Sequence, residues 1–149
     1  MRLLIREATR ADLPAVLRLY AQPDFDAGNI LSIERAEAIF ERMQRYPDYR
    51  ILLAEDNGAA VGTLALLIMD NLGHQGSPSA IVEDVAVDPA RQGAGIGRAL
   101  VLHAMERARA AGCYKLVLSS NARRERAHTF YESLGFTRHG FSFRVEPGA

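Results

Sequence analysis

The chain has 149 residues, the length of one ordinary domain and enough to bury a substantial core. Its 18 basic side chains balance 18 acidic ones, so it lacks the basic excess typical of nucleic-acid-binding proteins. The single cysteine, Cys113, excludes an internal disulfide. The longest mostly apolar run, residues 61–69, is too short to span a membrane, and the apolar run at the N-terminus ends at Arg6. We therefore expect a cytoplasmic protein with no membrane segment and no nucleic-acid partner.

Hydrophobic periodicity predicts a mixture of helices and strands. In chain order, the predicted elements are a helix beginning near residues 11–14, a helix over 32–45, strands over 50–55, 60–69 and 80–87, a helix from Ile96 to Gly112, a buried strand over 114–118, a helix over 123–134 and a strand over 141–145. Residues 56–58, Asp-Asn-Gly, are typical of a hairpin turn. No repeat or linker divides the chain, so we predict one α/β domain over residues 1–149, with about four helices flanking a mixed central sheet.

A glycine-rich turn connects the third predicted strand to the helix that follows it, with glycines at Gly93, Gly95 and Gly97. Glycines let backbone amides approach a ligand closely, and the N-terminus of a helix carries a partial positive charge. The turn is therefore predicted to bind an anion such as a phosphate or pyrophosphate, with Arg91 and Arg98 adding charged hydrogen bonds. The sequence of the turn matches neither the Walker loop nor the dinucleotide-binding G-x-G-x-x-G motif.

Two motifs resemble those of the GNAT N-acetyltransferase family, and of a bacterial subgroup of small-molecule acetyltransferases within it. The first is Q-x-x-G-x-G at residues 92–97, directly after a Val-Ala-Val strand. The second is an alanine four residues before a tyrosine and then L-G-F, present as Ala127, Tyr131 and residues 134–136. The resemblance implies the GNAT fold, acetyl-coenzyme A as co-substrate, and direct transfer of its acetyl group to a primary amine.

The resemblance also implies roles for individual residues. Coenzyme binding is implied for the end of the strand and for the turn, that is, for Val85, Ala86, Val87, Gln92, Gly93, Ala94, Gly95, Ile96, Gly97 and Arg98. The backbone N–H of Val87 is implied to polarise the thioester carbonyl. Tyr131 is implied to protonate the departing thiolate, a transfer that is uphill by only about 2 kcal/mol from the ordinary pKa values of tyrosine and a thiol.

The chain departs from the family pattern at one position. Many members have an asparagine seven residues before the tyrosine, where this chain has Arg124, and Asn121 lies three residues too early. We therefore assign the role of that asparagine to neither residue.

A carboxylate on the strand before the turn is the predicted catalytic base, because an attacking ammonium must lose a proton before its nitrogen can attack. Glu83 and Asp84 are the candidates, and strict strand alternation predicts that they point to opposite faces of the sheet. We predict Glu83, because similar family members have a glutamate just before D-V-A-V. Asp84 or a water molecule is the alternative.

The acceptor is predicted from the loops. Segments 22–31 and 70–79 are turn-rich and are expected to form a rim over the acetyl group, where Asp24, Asp26 and Asp70 attract a cationic amine. We therefore expect a small-molecule amine as substrate. The alternatives are acetylation of a protein N-terminus or lysine, and a non-catalytic sensor of acetyl-coenzyme A. The scattered histidines predict no metal site, and a homodimer is left open.

Overall fold

The computed structural model describes residues 1–148, and the chain forms two compact units, Met1–Val117 and Leu118–Ala149. The first unit contains a five-stranded sheet and three α-helices, and the second contains one α-helix. The elements are β1 (Leu3–Glu7), α1 (Leu13–Tyr20), α2 (Ile33–Met43), β2 (Tyr49–Asp56), β3 (Ala59–Met69), β4 (Ser79–Val87), α3 (Ile96–Ala110), β5 (Lys115–Val117) and α4 (Glu125–Ser133). Among the described residues, this mixed sheet with four helices confirms the predicted α/β class.

The strands of the sheet follow the order β1-β2-β3-β4-β5. Strands β1 to β4 pair antiparallel, and the hairpin between β2 and β3 turns at Asn57 and Gly58 with φ of 50° and 83°, as the predicted turn requires. Strand β5 runs parallel to β4 and pairs only with Ser79–Ile81. The remainder of β4 therefore has a strand neighbour on one side only within the unit Met1–Val117.

Helices cover both faces of the sheet. The apolar sides of α1 and α2 pack with Ile51 and Leu53 of β2 in one buried cluster. On the opposite face, α3 approaches β3 so closely that a Cβ at Gly62 would lie 2.8 Å from Ile96 Cγ2 and 3.0 Å from Leu100 Cδ1. The absence of a side chain at Gly62 thus lets the first turns of α3 rest on β3, which fixes the end of the glycine turn.

The N-terminal segment is a strand that the sequence analysis did not predict, so the expectation of helices before any strand is wrong. Strand β1 pairs with β2 over its whole length. Its apolar run is very short, and Arg6 and Glu7 interrupt the alternation. The strand is held by this pairing and by the Arg6 guanidinium, which donates to both Asp12 and Glu55.

The predicted strand over residues 141–145 does not form. Phe141, Phe143 and Val145 are 91%, 93% and 80% exposed, and no strand of the described residues pairs with this segment. Alternating apolar residues would give a strand one apolar face, but a strand also needs a neighbouring strand to form hydrogen bonds with. Strand β5 is shorter than predicted, and it is not the buried strand that was predicted: Lys115 is exposed, and Leu116 and Val117 are half-buried.

The helices agree more closely with their predicted positions. Helix α2 begins after Ser32, whose Oγ accepts the N–H of Arg35 at 3.4 Å, as a helix cap does. Helix α4 is shorter than the predicted 123–134 at both ends. Within residues 1–148, no helix is long and apolar enough to cross a membrane.

Candidate active site

Strand β4 contains a bulge in the middle of the predicted site. Its register against β3 slips between Thr63 and Ala65, so β4 carries one extra residue there. Asp84 lies at this point with φ +55°. Burial and then the charges of Asp84 and Glu83 raise the pKa of Tyr49, so both carboxylates lie near one phenol. The bulge interrupts the regular alternation from which opposite faces were predicted, so the placement of the two carboxylates stays a prediction.

Val87, at the end of β4, presents its backbone polar groups to the uncovered edge of the strand. Asp88 N–H donates to Val61 O at 2.9 Å, which makes Gly62 and Val87 a non-hydrogen-bonded pair. The N–H and C=O of Val87 therefore point away from β3. The C=O accepts a hydrogen bond from Gln22 Nε2 at 2.9 Å. The N–H faces the same edge, which is the geometry that the role predicted for Val87 requires.

The loop after α1 is attached to this end of β4 through that Gln22 hydrogen bond. Within the loop, Asp26 N–H donates to Tyr20 O at 3.1 Å, and the Phe25 ring stacks on the Tyr20 ring with centroids 4.9 Å apart. The loop is thus folded back onto the end of α1. This brings the carboxylate of Asp26 close enough to raise the pKa of Asp84.

Asp84 lies among acidic and phenolic groups. Its pKa is raised first by the protein atoms around it and second by the charge of Asp26. Burial raises the pKa of Tyr20, and the charge of Asp84 raises it further. Asp84 and Asp26 are exposed to solvent, and among residues 1–148 neither forms an ion pair. This region therefore suits a cationic group brought by a ligand.

The second predicted rim segment lies at the other end of β4. His74 and Gln75 have φ of 52° and 61°, and the His74 ring stacks on Tyr114 with centroids 4.0 Å apart. Tyr114 N–H donates to Pro78 O at 3.0 Å, which holds the segment against the residues that precede β5. A contribution of this segment to an acceptor rim stays a prediction.

The glycine turn has the backbone that its sequence predicts. Gly93 and Gly95 have φ of 84° and 86°, and Gly95 caps the N-terminus of α3. A Cβ at either glycine would meet no atom within 4 Å, so the space around both is open. The N–H groups of Ile96, Gly97 and Arg98 belong to the first turn of α3, where no carbonyl of the helix can reach them. These donors and the helix dipole suit an anionic group.

Two of the predicted contributors to the turn are already engaged. Ala94 N–H donates to Arg91 O at 3.3 Å. The Arg91 guanidinium pairs with Asp56, which also accepts the backbone N–H of Arg2 at 2.9 Å. Arg91 therefore anchors the turn to the end of β2, whereas Arg98 remains exposed in the first turn of α3.

Tyr131 lies on α4 in the second unit. Its ring packs edge-on against Phe130 and Phe136, with centroids 5.1 Å and 5.8 Å away. Burial raises the pKa of Tyr131, and the charge of Arg124 opposes this shift. The hydroxyl is therefore protonated at neutral pH, as a proton donor must be.

Asn121 builds the turn that begins α4. Its side-chain oxygen accepts the N–H of Arg123 at 2.9 Å, and its backbone oxygen accepts the N–H of Arg124 at 3.0 Å. The same backbone oxygen lies 2.8 Å from His128 Nε2. These contacts give Asn121 a structural role within its own unit.

Sequence reasoning did not identify Tyr20 and Tyr49 as residues of the site, and it included Gln22 only as the first residue of the predicted rim segment 22–31, without the contact to Val87. Each lies far from the two family motifs, and Tyr20 has the spacing of an ordinary core residue on α1. Only the pairing of the strands and the path of the loop bring these residues to β4. No motif in the sequence marks them.

The sequence model of the Acetyltransferase (GNAT) family matches residues 13–136. The chain belongs to the GNAT acetyltransferase family. This chain is similar to the solved structure of a putative acetyltransferase from Agrobacterium tumefaciens, with 37% sequence identity and a TM-score of 0.90. The superposition covers 96% of this chain and 99% of that protein.

Two curated relatives of this GNAT protein have named substrates. Glucosamine 6-phosphate N-acetyltransferase of Trypanosoma brucei brucei is 36% identical over 97 residues, which are 65% of this chain and 64% of that enzyme. Aminoalkylphosphonate N-acetyltransferase of Salmonella typhimurium is 37% identical over 97 residues, which are 65% of this chain and 62% of that enzyme. The match thus spans less than two thirds of the length of either enzyme.

Proposed function

We propose that this GNAT protein binds acetyl-coenzyme A and transfers the acetyl group directly to the primary amine of a small molecule. The observation that carries the proposal is the uncovered edge at Val87, which leads directly into the glycine turn and the N-terminus of α3. One strand end thus offers an N–H group for a carbonyl, and the turn after it offers several for a pyrophosphate. A thioester and a pyrophosphate are the two polar parts of acetyl-coenzyme A that such a surface matches.

In the proposed reaction, the amides of the turn hold the pyrophosphate, and the N–H of Val87 polarises the thioester carbonyl. A carboxylate of β4 accepts a proton from the acceptor's ammonium, with Glu83 as the sequence prediction and Asp84 beside it. The amine nitrogen then attacks the carbonyl carbon, and the carbon–sulfur bond breaks. Tyr131 gives its proton to the departing sulfur. Each group acts on substrate atoms, so no covalent acyl-enzyme is required.

A small cationic amine fits the loop beside β4 better than a peptide does. The segment 22–31 is short, and its Asp24 and Asp26 are exposed. A peptide substrate is usually bound along an extended groove or a free sheet edge, which a short acidic loop does not provide. The two curated relatives are named for small amines, which supports the same choice. A cytoplasmic location belongs to this proposal, and the single cysteine is consistent with a reducing compartment.

The test is release of free coenzyme A thiol when the protein meets acetyl-coenzyme A and a panel of amines. The panel contains amino acids, polyamines, aminoglycosides, amino sugars and aminophosphonates, with peptides bearing a free N-terminus or lysine as a separate arm. The proposal predicts thiol release that depends on at least one small amine. Release with peptides alone supports a protein acetyltransferase, and tight acetyl-coenzyme A binding without amine-dependent release supports a sensor.

A further inference from the structure

We infer that Asp56 is a positioning residue for coenzyme binding: through Arg91, it holds the glycine turn in the conformation that receives the pyrophosphate. This inference rests on the proposed function, because it concerns the coenzyme site of that reaction. Asp56 is the last residue of β2 and belongs to neither family motif. The inference follows from the burial of Asp56, from its two partners, and from the way the turn is attached to the sheet.

Asp56 is the only charged residue that is buried within residues 1–148, with 9% of its surface exposed. A carboxylate is costly to bury unless it is paired and hydrogen-bonded. One of its oxygens accepts the backbone N–H of Arg2, directly before β1, at 2.9 Å, and the other pairs with the guanidinium of Arg91. Both oxygens thus have a partner, and Asp56 connects the start of β1 to the segment that leads into the glycine turn.

Arg91 lies in the middle of a short wound segment between β4 and α3. Its backbone N–H donates to Asp88 O at 2.8 Å, and its own backbone oxygen accepts the N–H of Ala94 at 3.3 Å. The Asp88 side chain accepts the N–H of Ala90 at 2.9 Å. These bonds make residues 88–94 one local unit, so a restraint on Arg91 also restrains the glycines that follow it.

The segment from β4 to α3 is attached to the sheet at three points. At its start, Asp88 N–H donates to Val61 O at 2.9 Å, and at its end the first turns of α3 rest on Gly62. Between them, the pair of Arg91 with Asp56 is the only hydrogen bond or ion pair that joins residues 89–95 to a strand among the described residues. Because glycines lose more conformational freedom on ordering than other residues, this middle attachment is the one that preorganises the turn.

The pairing with Asp56 distinguishes two roles for Arg91. An arginine that binds the pyrophosphate directly must leave Asp56, so removing the carboxylate would free it and strengthen binding. An arginine that anchors the turn needs Asp56, so removing either partner weakens binding. The structure favours the anchor, because breaking the pair would leave a buried carboxylate without its charge partner. Arg98 is exposed in the first turn of α3 and forms no ion pair within residues 1–148, so it remains available to the anion.

The experiment measures the dissociation constant of coenzyme A by isothermal titration calorimetry and stability by chemical denaturation. The variants are Asp56→Asn, Arg91→Ala and the double variant. Asparagine keeps an oxygen for the N–H of Arg2 and removes the charge that holds Arg91. The matched control is Asp12→Asn, which removes the carboxylate of another ion pair of the same unit, formed with Arg6 of β1.

We expect Asp56→Asn and Arg91→Ala each to raise the dissociation constant about tenfold, the size of one lost interaction between an anion and a helix terminus. The double variant should raise it no further, because both changes act through one contact. With an accepted amine, KM for acetyl-coenzyme A should rise in the same proportion while kcat stays near the wild-type value. Asp12→Asn should lose stability and keep wild-type affinity, which separates a displaced turn from a general loss of stability.

Hydrogen exchange of residues 92–98 without coenzyme is the second measurement, and it needs only Arg91→Ala if Asp56→Asn does not fold. An anchor protects these amides in the free protein, so exchange should accelerate in Arg91→Ala, whereas loss of a direct ligand leaves exchange unchanged.

The inference is overturned if folded Asp56→Asn binds coenzyme A as tightly as the wild type or more tightly, if the two single effects add in the double variant, or if exchange of the turn is unchanged in Arg91→Ala. Wild-type protein that binds neither coenzyme A nor acetyl-coenzyme A overturns the proposed function itself, and the inference with it.

Discussion

Gly95 and Gly112 offer a matched test of the anion-binding turn. They lie just outside opposite ends of α3, with φ of +86° and +79°, and a Cβ at either would meet no atom within 4 Å. Alanine at either position therefore meets the same left-handed backbone and no steric clash. The expected cost to the free energy of unfolding is about 1–2 kcal/mol in each variant, since this is the usual penalty for an L side chain in that conformation.

The two variants are expected to differ in affinity for coenzyme A. Only Gly95 lies at the N-terminus of α3, where its strain displaces the amides that are proposed to hold the pyrophosphate. Interactions of an anion with a helix N-terminus contribute about 0.3–1 kcal/mol, and up to about 2 kcal/mol when partly enclosed. A loss of about 1.4 kcal/mol raises the dissociation constant tenfold, so we expect roughly that change for Gly95→Ala and a larger one for Gly95→Val.

The assay is isothermal titration calorimetry with coenzyme A, with chemical denaturation to measure stability. Gly112→Ala should lose stability and keep wild-type affinity. The reasoning is refuted if folded Gly95→Ala and Gly95→Val bind as tightly as the wild type. It is refuted equally if Gly112→Ala weakens binding as much as Gly95→Ala.

Three further predictions concern single positions. Tyr131→Phe should keep coenzyme A affinity and lose about 100-fold or more in kcat, because the ring stays and the proton donor goes; unchanged kcat would make Tyr131 only a packing residue. Gly62→Ala should cost about 1–3 kcal/mol in chemical denaturation, because its Cβ would lie 2.8 Å from Ile96 Cγ2, and wild-type stability would contradict this packing. The guanidinium of Arg6 donates to both carboxylate oxygens of Asp12, at 2.7 and 2.8 Å, and lowers the pKa of Asp12. The ionised carboxylate therefore stabilises the fold fully above about pH 4, the ordinary pKa of aspartate. This stabilisation is lost as the pH falls through the lowered pKa of Asp12 in the folded protein. Asp12→Asn should therefore lose about 1 kcal/mol at neutral pH, and a deficit that persists unchanged into strong acid would show another cause.

The parts of the fold that the sequence predicts correctly are those with strong local signals. The glycine turn is recognisable because left-handed φ angles and a helix start require glycine there, and α3 follows with regular apolar spacing. The hairpin at Asn57 and Gly58 is recognisable for the same reason. The two family motifs add an order of elements that local propensity alone does not give.

The parts that the sequence does not predict depend on pairing between distant segments. Strand β1 is recognised only through its partner β2, and the segment 141–145 alternates like a strand yet pairs with no strand among the described residues. The bulge at Asp84 arises from the register between β3 and β4, and the sequence of β4 alone does not reveal that register. For the same reason, the approach of Asp26 to Asp84 is visible only in the structure.

The central claim is acetyl transfer to a small amine, and the most direct measurement follows both products of that reaction together. Wild-type protein is incubated with acetyl-coenzyme A and the amine panel, free thiol is titrated, and the N-acetylated amine is quantified by mass spectrometry. The account predicts that the two products appear in equal amounts with at least one small amine and that neither appears without an amine. Binding of acetyl-coenzyme A with no acetylated small amine from any member of the panel would contradict it.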